Sequence, residues 1–198
     1  MTEEEVKLAT CQVLSVGESG TGWLIASGLV ITAYHCVKTA SESGGAITAR
    51  FGTGASAVEL VATLGAHDID LDVCLLQLPI PLTAAPIPID TGALRPGEKW
   101  SAFGFPAVKL ELGHVLNGEV QQVLPERLHR VDLDLSVEQG THQSNYEGLS
   151  GSALMLGAVC KGLLGLNVDS AIGAVSLTAL LPFLRQNGLL PREEDEPA

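Results

Sequence analysis

The stretch GTGWLIASGLVITAYHCV, residues 20–37, runs through two apolar segments and then into a histidine. Its segments 21–25 and 29–33 are separated by Ala-Ser-Gly, which is typical of two short strands joined by a tight turn. His35 follows directly, between a tyrosine and a cysteine. A histidine at a strand end, taken alone, is more often structural than catalytic, so its meaning depends on what the rest of the chain supplies.

Short apolar runs of this kind continue through the chain, broken about every ten residues by Gly, Pro, Asn or Asp. A dozen strands in one chain favour barrels or sandwiches, because closure of a sheet removes its exposed edges. The sequence therefore predicts an all-β protein. The predicted strands are 10–15, 21–25, 29–33, 46–51, 57–63, 73–78, 99–103, 118–123, 131–135, 153–156, 162–167 and 173–176.

The chain divides into two similar halves around a Pro-rich stretch, PIPLTAAPIPIDTGALRPGE, near its middle. Four leucines near the end share one helical face, although Pro182 weakens the first turns of the helix that they indicate. Ser176 is the expected N-cap of this helix. We expect these parts to form a single domain. They are a first barrel over 8–82, a crossing segment over 83–98, a second barrel over 99–176, a closing helix over 177–188 and an acidic tail over 189–198.

Composition excludes several classes of partner. The 198 residues are 46% apolar, enough for a substantial core, and the net charge of −12 argues against nucleic acid and anionic membranes. The start, MTEEEVKLA, lacks the features of a secretory signal, and no apolar run is long enough to span a bilayer, so we expect a soluble, cytoplasmic protein. The four cysteines stand singly with no C-x-x-C pair, which argues against a zinc knuckle or a redox motif. Three of them have apolar neighbours, which predicts reduced core residues.

Three residues could together perform acyl transfer, which needs a nucleophile, an imidazole and a group that fixes the imidazole tautomer. Ser150 stands between Gly148 and Gly151, where small neighbours allow a tight turn with N–H groups pointing into a concavity. The N–H groups of Gly148 and Ser150 are the candidate oxyanion donors. Asp72 is the last acid before an apolar strand and could accept from Nδ1–H of His35.

These motifs resemble those of trypsin-like, chymotrypsin-fold serine peptidases. GTGWLIASGLVITAYHCV is similar to the segment around the family's catalytic histidine, DVCLLQL to its aspartate and the following strand, FGFP to a turn of its second barrel, and GLSGSAL to its nucleophile loop. The order His35, Asp72, Ser150 is the family's order, and it differs from the orders in α/β-hydrolases and subtilisins. The resemblance spans nearly the whole chain and implies two packed six-stranded antiparallel β-barrels with a C-terminal α-helix. It suits a bacterial-type, intracellular member of the family.

Two departures from the family pattern are informative. Leu149 stands where secreted members have an acid that binds a freshly cut amino terminus, so activation by amino-terminal cleavage is not expected. Cys36 matches a family half-cystine, but the strand that should supply its partner has no cysteine.

For substrate recognition, the resemblance assigns Ser144 to the floor of the specificity pocket and the strand Leu166, Asn167, Val168 and Asp169 to the edge that pairs with substrate backbone. Because Ser144 is neutral, we expect a small or apolar residue before the scissile bond, although Asp169 could reverse this preference.

The leading hypothesis is therefore a serine endopeptidase with the triad His35, Asp72 and Ser150, acting on a protein or peptide without metal or organic cofactor. The alternative is a catalytically latent or inactive domain that uses the same cleft to bind a peptide or protein. Small intracellular trypsin-like domains such as this one also resemble effector proteases that stay inactive until a sensor rearranges them. That resemblance would imply a sensor or NTPase partner.

Overall fold

The computed structural model describes residues 1–107, 112–128, 130–138, 146–166 and 172–191; for 125–128 and 166 it describes the backbone. Within these ranges the chain forms two closed antiparallel barrels of six strands each. This confirms the predicted all-β fold class. No helix in the described ranges is long and apolar enough to cross a membrane.

The first barrel closes in the strand order β1-β2-β3-β6-β5-β4. Its strands form where apolar and polar residues alternate, as in β4, which buries Ile47, Ala49 and Phe51 and leaves Thr48 and Arg50 part-exposed. The strands are β1 (Thr10–Ser15), β2 (Glu18–Ala26), β3 (Leu29–Ala33), β4 (Ile47–Phe51), β5 (Val58–Asp68) and β6 (Val73–Gln77).

The second barrel closes in the order β10-β11-β12-β9-β8-β7. The same alternation places Val131, Leu133 and Leu135 of β9 inside it. Its strands are β7 (Lys99–Gly104), β8 (His114–Leu128), β9 (Val131–Val137), β10 (Ala153–Leu156), β11 (Val159–Leu166) and β12 (Ile172–Ser176). All twelve predicted strands are present. Seven of them, β2, β5, β7, β8, β9, β11 and β12, extend beyond a predicted end, and β8 extends the furthest.

The chain between the barrels is bonded to both of them. The N–H of Ile87 donates to Leu24 of β2 at 2.8 Å, and the N–H of Cys160 in β11 donates to Pro88 at 2.8 Å. Asp90 returns a hydrogen bond to Cys160 at 2.9 Å. These bonds hold the two barrels against each other at fixed positions, as a site built from both of them requires.

In the described part of the chain, three short α-helices flank the barrels: α1 (Glu3–Ala9), α2 (Lys38–Ser43) and α3 (Leu181–Gln186). The sequence predicted only the last of them. The predicted start of that helix at 177 is wrong, because α3 begins at Leu181. Pro182 lies in the first turn, where backbone N–H groups have no partner within the helix, so its missing N–H removes no helical hydrogen bond. Ser176 does not cap α3; its Oγ accepts from the N–H of Ala179 in the preceding turn.

Candidate active site

His35 and Asp72 meet because β3 pairs with β6. Ala33, the last residue of β3, lies opposite Val73, the first of β6, so the residues just beyond these ends are neighbours. The chain makes a single helical turn over Tyr34–Cys36, and the N–H of Tyr34 donates to the carbonyl of Asp72 at 3.1 Å. Strand register alone therefore brings together two residues that are 37 positions apart.

The Asp72 carboxylate holds His35 at two points. Nδ1 of the ring lies 2.6 Å from Oδ2, and the backbone N–H of His35 donates to Oδ1 at 2.9 Å. A carboxylate only accepts hydrogen bonds, so the ring proton is on Nδ1 and a neutral ring has Nε2 as an acceptor. Asp72 has the left-handed φ of 54°, an unfavourable conformation that the surrounding bonds stabilise.

The environment of His35 favours its charged form. Burial of the ring opposes charging, but hydrogen bonds to Asp72 and Cys36, together with the negative charge of Asp72, outweigh burial and raise the pKa of His35 above the ordinary 6.5. The His35 side chain remains 39% exposed, whereas that of Asp72 is only 12% exposed. The aspartate is thus fixed behind a ring that still reaches solvent.

Arg130 of the second barrel also contacts this pair, and no sequence motif indicated this contact. Its Nη1 lies 3.5 Å from Asp72 Oδ1, with the arginine side chain half exposed. Arg130 stands immediately before β9 and has a φ of 76°. A charged residue at a strand end is usually solvated, so only the packing of the barrels identifies this ion pair.

Ser150 lies in the loop that leads into β10. Gly148 and Gly151 on either side of it have φ values of 91° and 88°, which favour glycine. A Cβ on Gly148 would collide with the carbonyl of Phe105, and one on Gly151 would collide with the carbonyl of Thr21. Both glycines are therefore required by conformation and by space, as the motif indicated.

The loop is anchored to β11 on one side and packs on β7 on the other. The N–H of Gly151 donates to Leu164 at 2.8 Å, and the N–H of Leu164 donates to Ser152 at 2.8 Å. On the β7 side, a Cβ on Gly104 would collide with Ser152 Oγ, so the glycine of the FGFP turn allows the close approach. Leu149 is 2% exposed and packs in the core of the second barrel, which is a structural role for the departure seen in sequence.

His35, Gly148 and Ser150 line one open cavity of about 420 Å³ between the barrels. Glu18 and Ser19 of β2 and Glu147 of the nucleophile loop also line it. Among the hydrogen bonds of the described residues, none joins Ser150 Oγ to the His35 ring. His35 and Asp72 are thus joined by a direct hydrogen bond, and Ser150 lies on the same cavity as His35.

The direction of each N–H group in the nucleophile loop follows from the direction of the carbonyl in the same peptide plane. The Glu147 carbonyl accepts from the N–H of Ala107 at 2.8 Å, and the peptide bonds of the described residues are all trans, so the Gly148 N–H points the opposite way. Within the described residues, neither the Gly148 nor the Ser150 N–H donates to a protein acceptor.

The four cysteines lie in the described residues, and all are free and buried. Burial raises the pKa of the Cys160 thiol to about 12 and also raises that of Cys11, so these thiols stay un-ionised near neutral pH. The residue of β2 that faces Cys36 is Gly20, on which a Cβ would collide with the Cys36 sulfur. The residue that faces Cys36 thus has no side chain, in agreement with the predicted lack of a disulfide partner for Cys36.

The predicted substrate-binding residues Ser144, Asn167, Val168 and Asp169 lie outside the described residues. Leu166 is the last residue of β11 and pairs with Ile172 of β12. Their roles stay predictions from the resemblance.

Two closed six-stranded barrels, with a His–Asp pair on the first and a glycine-flanked serine on the second, define the class of chymotrypsin-fold peptidases. A sequence profile for the family described as "Trypsin-like peptidase domain" matches residues 20–158. The chain belongs to this family of trypsin-like peptidase domains. No curated protein matches its sequence.

Solved structures agree with this fold. The crystal structure of Deg5 is similar with a TM-score of 0.71 at 16% identity, covering 95% of this chain and 98% of that one. The active form of the Rv3671c protease from M. tuberculosis has a TM-score of 0.74 at 19% identity, covering 93% of this chain and 83% of that one. An inactive form of Rv3671c has a TM-score of 0.72 at 17% identity, covering 93% and 91%.

Proposed function

We propose that this chain is a serine endopeptidase that hydrolyses peptide bonds through an acyl-enzyme. The observation that carries the proposal is the 2.6 Å hydrogen bond from His35 Nδ1 to Asp72 Oδ2, at a cavity that His35 shares with Ser150. In its neutral form, a histidine fixed in this tautomer has Nε2 ready to accept a proton, which is the property that a general base for a serine needs.

In the acylation step, Ser150 Oγ attacks the carbonyl carbon of the scissile bond while its proton passes to His35 Nε2. Asp72 keeps the ring in place and stabilises the imidazolium that forms. The carbonyl oxygen becomes an oxyanion, which accepts hydrogen bonds from the N–H groups of Gly148 and Ser150. Their lack of protein acceptors among the described residues supports this assignment.

The tetrahedral intermediate collapses when His35 gives its proton to the leaving amine and the C–N bond breaks. A water molecule then attacks the acyl group, its proton passes to His35, and the Ser150 oxygen recovers a proton as the carboxylic acid leaves. The neutral Ser144, which the resemblance places at the pocket floor, supports a small or apolar residue before the scissile bond.

A catalytically latent domain that binds a peptide is the second candidate. It is favoured by the lack of a hydrogen bond between Ser150 Oγ and His35 within the described residues. Catalytic hydrogen bonds are often long in ligand-free enzymes and tighten when substrate binds, so this geometry is compatible with both functions. A latent form would fit an effector that a sensor or NTPase partner activates.

Labelling with a fluorophosphonate probe tests the proposal. The wild-type chain should be labelled, Ser150→Ala should not, and Ser152→Ala is the matched control. Ser152 Oγ is buried two residues away and has no hydrogen-bond partner among the described residues, so its loss should leave labelling intact. No labelling of a folded wild-type chain would overturn the enzyme proposal for the isolated domain, whereas labelling that begins only with an added partner would favour the regulated effector.

A further inference from the structure

Thr21 of β2 is fully buried and bonds to the nucleophile loop of the opposite barrel. Its Oγ1 donates to the Gly148 carbonyl at 2.7 Å, and its N–H donates to the Ser150 carbonyl at 2.8 Å. Oγ1 also accepts from the N–H of Phe105 at 3.0 Å, and the Thr21 carbonyl accepts from Thr32 Oγ1 at 2.7 Å. One residue of the first barrel thus contacts the loop on both sides of Leu149.

The carbonyls of the nucleophile loop are bonded in an unbroken series. Those of Gly148 and Ser150 accept from Thr21, that of Glu147 accepts from the N–H of Ala107 at 2.8 Å, and that of Leu149 accepts from the N–H of Ser152 at 3.0 Å. In a trans peptide the N–H points opposite to the C=O, so four bonded carbonyls fix the direction of the N–H groups that follow them. The two proposed oxyanion donors follow the Glu147 and Leu149 carbonyls, and the Gly148 carbonyl that Thr21 bonds belongs to the peptide between them.

Three of these four bonds come from backbone N–H groups, which any residue other than proline supplies. The fourth comes from the Thr21 hydroxyl, so it depends on the side chain. A hydroxyl is required because it must donate to the Gly148 carbonyl and accept from the Phe105 N–H at the same time. Valine has the same shape but would leave both groups buried without this partner.

We infer that Thr21 is a positioning residue for the oxyanion hole: its hydroxyl fixes the Gly148–Leu149 peptide, which joins the two peptides that carry the proposed N–H donors, and so holds those two peptides in place relative to each other. This inference rests on the proposed function. It extends that function to a residue of the first barrel that contacts neither substrate nor the reacting atoms. The role predicts an effect on the transition state, because the oxyanion exists only there, and little effect on substrate affinity.

The test compares Thr21→Val, Thr21→Ser and Thr32→Val. Thr32→Val is the matched control, because it removes a buried threonine hydroxyl bond of the same 2.7 Å length whose acceptor is the Thr21 carbonyl and not a carbonyl of the nucleophile loop. Thr21→Val should slow labelling by the fluorophosphonate probe and lower kcat by about tenfold to 10³-fold, the upper limit being loss of a whole oxyanion donor. KM should change little. Thr21→Ser should restore both rates to within a few-fold, and Thr32→Val should leave them near wild type.

Hydrogen exchange of the Phe105 amide supplies a readout that needs no activity. Thr21→Val should accelerate this exchange, while Thr21→Ser and Thr32→Val should not. If the wild type is labelled and Thr21→Val is labelled equally fast, the inference is wrong and the proposed function stands. If the wild type is not labelled, the proposed function fails, and unchanged Phe105 exchange in Thr21→Val would then overturn the positioning role as well.

Discussion

Replacing Asp72 with asparagine should invert the tautomer of His35. The carboxylate accepts from the His35 backbone N–H at 2.9 Å and from the ring Nδ1 at 2.6 Å, and its side chain is only 12% exposed. An asparagine has one oxygen and one NH₂ group for these two positions. If the NH₂ faced the backbone N–H, two donors would meet in a buried place.

The favourable arrangement therefore keeps the asparagine oxygen on the backbone N–H and turns its NH₂ toward Nδ1. Nδ1 must then accept, which moves the ring proton to Nε2 and removes the acceptor that Ser150 needs. In a serine peptidase this change costs on the order of 10⁴ in kcat, or about 5 kcal/mol of barrier. The fold should persist, because the backbone hydrogen bond and the shape of the side chain are kept.

The assay is the rate of fluorophosphonate labelling, or kcat on a cleaved peptide, for Asp72→Asn beside Asp70→Asn. Asp70 carries a similar charge two residues earlier and lies outside the proposed triad, so its variant should stay near the wild-type rate. If Asp72→Asn lost less than about tenfold while the wild type was active, Asp72 would not set the tautomer of His35, and the reasoning would be refuted.

Three further predictions concern charge and packing. Arg130→Gln should raise the pKa of His35, because loss of a nearby cation stabilises the imidazolium. The acid limb of the kcat/KM profile, which we expect above pH 6.5 in the wild type, should therefore move to higher pH. A shift to lower pH would contradict the ion pair. Leu149→Ala should lower the free energy of unfolding by about 2–5 kcal/mol in urea titrations, and a loss under about 1 kcal/mol would contradict its core packing. Since the folded pKa of His35 is raised, its contribution to stability should be fully present below pH 6.5 and be lost as the pH rises through the folded pKa, which denaturant titrations of wild type and His35→Gln across pH would measure.

The strands were predictable because their signal is local. Alternation along β4 and β9 and the turn residues between strands suffice to place each element, and closure into barrels follows from the need to remove edges. Helix α1 was missed although Thr2 and Glu5 form a capping box there. Seven residues with three glutamates show too little apolar periodicity to stand out from a charged chain end.

The site was predictable only where the sequence carries a motif. His35, Asp72 and Ser150 each lie in a short recognisable segment, and the structure pairs the first two and places the third on the same cavity. Thr21 bonds to a residue 127 positions away, and Arg130 reaches Asp72 from the other barrel. Their roles depend on how two barrels pack, which no local pattern encodes.

The most direct test of the account is a crystal structure of the chain with a peptide boronic acid, which forms a tetrahedral adduct with an active serine. We expect boron bonded to Ser150 Oγ, His35 Nε2 within about 3 Å of Oγ, and one boronate oxygen within about 3 Å of the Gly148 and Ser150 nitrogens. A folded chain that binds the compound without a bond to Ser150, or that turns the Gly148 N–H away from the boronate, would contradict the proposal of a serine peptidase.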